Sequence, residues 1–201
     1  MSSNSFPDLM TMLIGIGKSI PAIIMLMQLA AILVGVYFTF GGLVQLWGAS
    51  NANMSKFMSS QSSYSTAGGL VEILIGAFLL SLGTLEFVGV LSRSFTGDYA
   101  ATRMTADILS YTPGENPNMA EKGKAVTLAL LALMQAVGFV AIFKGVMSLN
   151  SYFQEKYTKG SFGTSMTWIL GGMLAWNFKW FSSVINNTIG FDFIAIFSSL
   201  K

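Results

Sequence analysis

Apolar residues in this chain arrive in long runs separated by polar connectors. Residues 20–47 lie in an uncharged gap that extends from Lys18 to Lys56, and they exceed the roughly 20 residues a helix needs to cross a bilayer core. Gln28, Gly35 and Gly42 recur every seven residues and so fall near one face, a small or polar stripe suited to close helix contact. Upstream, Met10, Leu13, Ile14, Ile16 and Ile20 follow roughly helical spacing after Phe6-Pro7-Asp8, where Pro and an acidic group suit a helix opening. Residues 1–19 are therefore expected as an amphipathic segment. Lys18 and Pro21 alone separate a surface helix from a plain extension of the first membrane helix.

A Ser- and Asn-rich connector around Lys56 then turns the chain back, and residues 67–91 predict a second membrane helix, closing a first hairpin over 20–91. Gly69, Glu72, Gly76, Gly83 and Glu86 share one broad face of it. An ionised side chain in hydrocarbon costs several kcal/mol without a partner, so this face is expected to meet protein. Residues 92–124 read as an extramembrane loop; residues 93–124 hold eight of the twenty charged residues. The loop carries a short helix over 99–109, a turn cluster at 112–117, and a capping box from Asn118 to Glu121 that opens the third helix.

The third helix, 125–149, is apolar except for Gln135 and Lys144. A short fourth helix is expected over 164–178, with Trp168, Trp176, Trp180 and Lys179 as interfacial anchors, completing a second hairpin over 125–180. Residues 181–201 form an amphipathic tail that lies on the membrane or docks against a neighbour.

The two halves repeat. At an offset of 103 residues Gly35 pairs with Gly138, Gly42 with Gly145 and Leu46 with Leu149. After the shorter second connector, Ile73-Leu74 and Gly76 align with Ile169-Leu170 and Gly172. The fold class predicted is all-α: a polytopic membrane protein of four transmembrane helices, arranged as two hairpins in the same orientation, with amphipathic segments at both termini. The duplication puts Glu72 and Lys144 at similar depth, where they are expected to pair; the alternative partner for Glu72 lies in another subunit. Glu86, toward the other end, is expected to find Arg93, Lys122 or Lys124.

Composition narrows the function. Hydrophobic residues make up 53% and charged residues 10%, with a mean hydropathy of +0.62, far below the charge content of soluble domains. A net charge of +2 with scattered basic residues argues against direct nucleic-acid binding. With no Cys and no His, thiol and imidazole chemistry and the commonest zinc ligands are excluded; no phosphate-binding loop appears, and neither an enzymatic activity nor a cofactor is expected. Lys18 follows an apolar stretch instead of preceding one, so a cleavable leader is not expected. The basic residues Lys18, Arg93, Arg103, Lys122 and Lys124 outnumber Lys56, Lys156 and Lys159, which favours a cytoplasmic long loop. Intramembrane carboxylates can carry protons or ions, so a small channel or transporter subunit using Glu72 and Glu86 stands as the alternative to a packing subunit.

Phe40-Gly41-Gly42-Leu43-Val44, the loop around Lys56, Ala67-Gly68-Gly69-Leu70, Gly76-Ala77-Phe78-Leu79-Leu80 and Leu170-Gly171-Gly172-Met173-Leu174 give the chain a resemblance. Over residues 20–179 it resembles the small multi-span proteins of type IVB secretion and conjugation systems, of the IcmC/DotE type in Dot/Icm machines and the TraQ type in I-type plasmid conjugation. The residues themselves predict a small helical subunit whose Gly-rich faces and aromatic tail make lateral contacts in a larger membrane assembly, a homo-oligomer among the options; the resemblance implies a bacterial inner-membrane component of a secretion or DNA-transfer apparatus, partnered by the lipid bilayer and other apparatus subunits. It brings no catalytic residues.

Overall fold

The structure is a computed structural model that describes residues 9–50, 66–97, 119–153 and 161–190. These residues form six helices and no strand: α1 (Leu9–Ser50), α2 (Thr66–Gly83), α3 (Glu86–Thr96), α4 (Met119–Phe153), α5 (Phe162–Trp176) and α6 (Phe178–Ile189). The expected helix over 99–109, the turn at 112–117, Asn118 of the capping box, the Lys56 loop and residues 191–201 lie outside the described residues. Three segments are long and apolar enough to cross a membrane, Gly15–Ser50, Thr66–Gly83 and Glu121–Phe153. This is a multi-pass membrane protein.

α1 does not divide at Pro21. It runs for 42 residues, about 63 Å at 1.5 Å per residue, roughly twice a hydrocarbon core. Pro21 cannot donate to the Gly17 carbonyl, yet membrane helices accept such a loss when a neighbour braces the site. Here α4 is that neighbour, because a Cβ at Gly17 would come within 2.5 Å of the Ala129 Cβ. Residues 9–19 thus form the first turns of α1 and not a helix of their own.

α2 packs antiparallel on α1 along small residues. A Cβ at Gly42 would approach the Gly69 carbonyl oxygen to 2.6 Å, and one at Gly35 the Leu80 nitrogen to 2.8 Å; one at Gly83 would meet Ile32 and the Gln28 carbonyl. α5 packs on α4 in the same way. Gly145 lies against Ser165 and Ile169, and Gly138 against Gly172 and Trp176. The two seams match residue for residue: Gly35, Thr39 and Gly42 correspond to Gly138, Ile142 and Gly145, while Gly69, Ile73, Gly76 and Leu80 correspond to Ser165, Ile169, Gly172 and Trp176.

The two helix pairs run in the same direction. Gly17 meets Ala129, and Met27 and Ala30 line a shallow apolar groove with Phe139, Val140 and Phe143, so residue numbers rise together along α1 and α4. One core joins the pairs, with Ile24, Ala31, Leu79 and Leu82 from the first and Phe139, Ile142, Met173 and Trp176 from the second.

The second helix is shorter than the 67–91 expected. It ends at Gly83; Leu85 then adopts a left-handed conformation (φ 62°), and Glu86 opens α3. Such a φ is costly for a branched residue, but the turn lets Leu85 pack against the core and redirects the chain so that Val88, Gly89 and Ser92 are buried. The second pair closes similarly, with Asn177 separating α5 from α6. Both short helices stop at a left-handed glycine, Gly97 and Gly190, whose N–H donates to the carbonyl four residues back, Arg93 and Asn186. The repeat unit therefore has three parts, a long helix, a returning helix and a short amphipathic one.

Candidate functional site

The glycines named from the sequence lie on the helix seams, while the charged residues are spread over three helices, Glu72 on α2, Glu86 on α3 and Lys144 on α4. Gly35, Gly42, Gly69, Gly76 and Gly83 stand at the α1–α2 contact, and Gly138, Gly145 and Gly172 at the α4–α5 contact; at each, an added Cβ would come closer than 3.0 Å to the facing helix. Backbones this near gain dispersion contacts over their whole length, the packing term that replaces the hydrophobic effect within lipid. The close approach also explains why small residues recur at seven-residue spacing, the repeat that returns to the same helix face.

Glu72 is 6% exposed, and its carboxylate accepts from the Gln45 side-chain amide on α1. Its other oxygen faces Gly41, where an added Cβ would come within 3.1 Å of it. Lys144 does not reach Glu72. Its ammonium instead lies 4.0 Å from the centroid of the Trp168 ring. The expected Glu72–Lys144 bridge is thus replaced by two separate arrangements, for a reason visible in the repeat. Gly41 and Glu72 correspond to Lys144 and Trp168, so each pair occupies the equivalent place on the seam of its own helix pair. The two groups share a register within the repeat, but each is turned toward the other helix of its own pair, Glu72 toward α1 and Lys144 toward α5.

Glu86 also departs from expectation. It sits in the first turn of α3, exposed, where the helix dipole favours an acidic side chain, and no bond to Arg93, Lys122 or Lys124 forms among the described residues. α2 and α5 finish partway along the long helices, Gly83 against Gln28 and Ile32 and Trp176 against Gly138, so Glu86 and Lys179 lie on the side from which α1 and α4 begin, short of Lys18, Lys122 and Lys124.

Two polar residues that the sequence did not single out join the two halves where the returning helices finish. Ser92 Oγ donates to Asn177 Oδ1 at 2.6 Å, and Asn177 Nδ2 donates to the Met173 carbonyl at 3.1 Å, all within the interior. Trp176, expected as an interfacial anchor, is instead fully buried against Gly138 in the core; its ring N–H, both polar atoms of Gln135 (0% exposed) and the Ser182 hydroxyl are buried without a hydrogen-bond partner among the described residues. Gln45 and Asn177 carried a faint sequence signal, as amides inside or at the end of apolar runs. Ser92 carried none, because serine is too common to mark a contact.

Chemically this is a packed interior. No group of three or more metal-ligating side chains occurs among the described residues. Glu72 is the one buried charged side chain among them, and its bonded neighbour is an amide. Comparisons with protein-family models, with curated proteins and with solved structures found no match.

Proposed function

We propose that this chain is a structural subunit of a membrane-embedded type IV secretion or conjugative DNA-transfer apparatus, of the type IVB kind. The reading rests on the resemblance carried by the Gly-Gly segments of α1, α2 and α5. One observation favours a structural role over conduction: Glu72 is closed in by Gln45 and Gly41, with no second buried charge among the described residues to continue a path. A proton or ion route needs a succession of polar stations across the membrane, and the seams offer glycine instead.

In this reading all four long elements span, as two hairpins of one orientation. α5, at 15 residues, is about 22 Å long, short for a bilayer core, but it occupies the place that α2 holds in the first pair. α3 and α6 then lie along the same membrane surface. The basic residues on that side, Lys18, Lys122, Lys124 and Lys179, favour the cytoplasmic face of a bacterial inner membrane.

The channel alternative has Glu72 as its support and loses Glu86, which lies outside the membrane helices. Affinity purification from membranes separates the two. A structural subunit comes out in a complex of fixed stoichiometry and retains transfer activity as Glu86→Gln. A channel conducts alone in liposomes, and Glu72→Gln abolishes the current.

A further inference from the structure

Lys144 is a cation in the interior of a membrane span. It lies nine residues, about 13 Å, short of the end of the span Glu121–Phe153. Its neighbour Phe143 shares a groove with Met27 and Ala30, beside the middle of the span Gly15–Ser50. Trp168, expected as an interfacial anchor, lies midway along α5, and the Lys144 ammonium rests 4.0 Å from the centroid of its ring. Both side chains are exposed on the surface of the bundle. The ring face attracts the charge but accepts none of the three N–H donors in a charge-assisted bond, and no carboxylate reaches them among the described residues. An ammonium in hydrocarbon is costly alone, and membrane helices pair such residues with an opposite charge.

The described residues of the chain do not supply that charge. Glu121 stands at the start of α4, and Glu86 opens α3, beyond the membrane helices. Glu72 is set against Gly41, eleven residues, about 16 Å, past Ala30 along α1. A second copy in the same orientation carries its Glu72 at that same depth, equally far from Lys144 and closed in by Gln45. The counter-charge therefore belongs to a different protein.

The surface around Lys144 fits a helix. Leu133, Val137 and Val140 are exposed on the same stripe of α4 as Lys144. On α5, Gly171 lies one turn from Trp168, and a Cβ there would meet nothing within 4 Å, so a neighbouring backbone can approach closely. The contact of Lys144 with Trp168 ties these two flanks into one seat.

We propose that Lys144 pairs with an Asp or Glu carried at mid-membrane by a spanning helix of a different protein, which lies along Val140, Val137 and Leu133 and against Gly171. The inference needs α4 to cross the membrane and does not depend on which apparatus the chain joins.

The test places the full chain in liposomes with synthetic Leu-Ala helices of about 22 residues that carry a single central Glu, Gln or Lys. Energy transfer from a donor on Ser161→Cys, the sole thiol, to an acceptor on the helix reads association. Otherwise unaltered chain should bind the Glu helix about tenfold more tightly than the Gln helix. Lys144→Gln should lose that preference and Lys144→Arg keep it. Lys144→Glu should turn it toward the Lys helix, a reversal that a misfolded chain cannot give. Equal binding of the Glu and Gln helices would overturn the proposal, as would a preference that survives in Lys144→Gln. Tighter binding of a helix whose Glu is moved to one end would place the site at another depth and equally overturn it. Self-association that is lost in Lys144→Gln, with no preference for the Glu helix beforehand, would assign the face to a second copy instead.

Discussion

Ser92 and Asn177 connect the two halves of the molecule by a buried hydrogen bond of 2.6 Å, from the middle of α3 to the joint between α5 and α6. Ser92→Ala removes the donor and leaves Asn177 Oδ1 without it in an apolar interior, which costs about 1–3 kcal/mol. The loss should appear as a lowered thermal midpoint in detergent. In a double-mutant cycle with Asn177→Ala the two effects should be non-additive, since both remove the same contact. Additive losses would show that the bond does not hold the halves together.

The glycine seams give a contrast within one helix. Gly172→Ala drives a Cβ to 2.7 Å from the Gly138 carbonyl oxygen, so α4 and α5 must separate. Destabilisation of about 2 kcal/mol or more is expected, in the range of overpacked cores. Gly171→Ala meets open space and should be neutral or stabilise by up to about 1 kcal/mol through helix propensity. Denaturation of both variants in the same detergent checks the pair. Gly76→Ala, at the equivalent place in the first pair, should resemble Gly172→Ala.

How much of this could be read in the sequence depends on what each feature needs. The glycine stripes are legible because close approach demands small residues at a helical period, and that demand is written position by position along α1 and α4. The duplication is legible for the same reason. The partner of Glu72 is not, since depth alone leaves open which side of the helix a side chain turns to; Gln45 comes next to it only once Gly42 is seated on Gly69. The break at Leu85 also escapes detection. Thr84 and Leu85 carry no turn signal, and tertiary packing of Leu85 holds the left-handed conformation. Pro21 errs in the opposite direction, a strong local breaker overridden by the contact of Gly17 with Ala129.

Because Glu72 bonds Gln45 while Lys144 stacks on Trp168, exchanging the charges should not restore stability. Glu72→Lys is expected to destabilise strongly, and adding Lys144→Glu should leave that loss unrepaired. Gln45→Leu is the informative variant: it leaves a buried carboxylate oxygen without its donor and should cost about 1.5–3 kcal/mol. Thermal unfolding of the three variants measures this. Rescue of Glu72→Lys by Lys144→Glu would reinstate a bridge between them.

The directions of the helices make a topological prediction that the native absence of Cys renders clean to test, since any introduced thiol is the sole one. Glu86 and Lys179 follow the ends of the returning helices, on the side from which α1 and α4 begin, whereas Ser161 lies on the opposite side, where α5 starts. Single Cys substitutions at these three exposed positions should therefore divide two against one when intact cells are treated with a membrane-impermeant maleimide. Glu86→Cys and Lys179→Cys should be protected until the membrane is permeabilised, and Ser161→Cys should be labelled from outside. The basic residues on the first side set that direction. The inverse pattern would keep the hairpins and reverse the orientation. Labelling of Lys179→Cys and Ser161→Cys from the same side would show that α5 enters the membrane without crossing it.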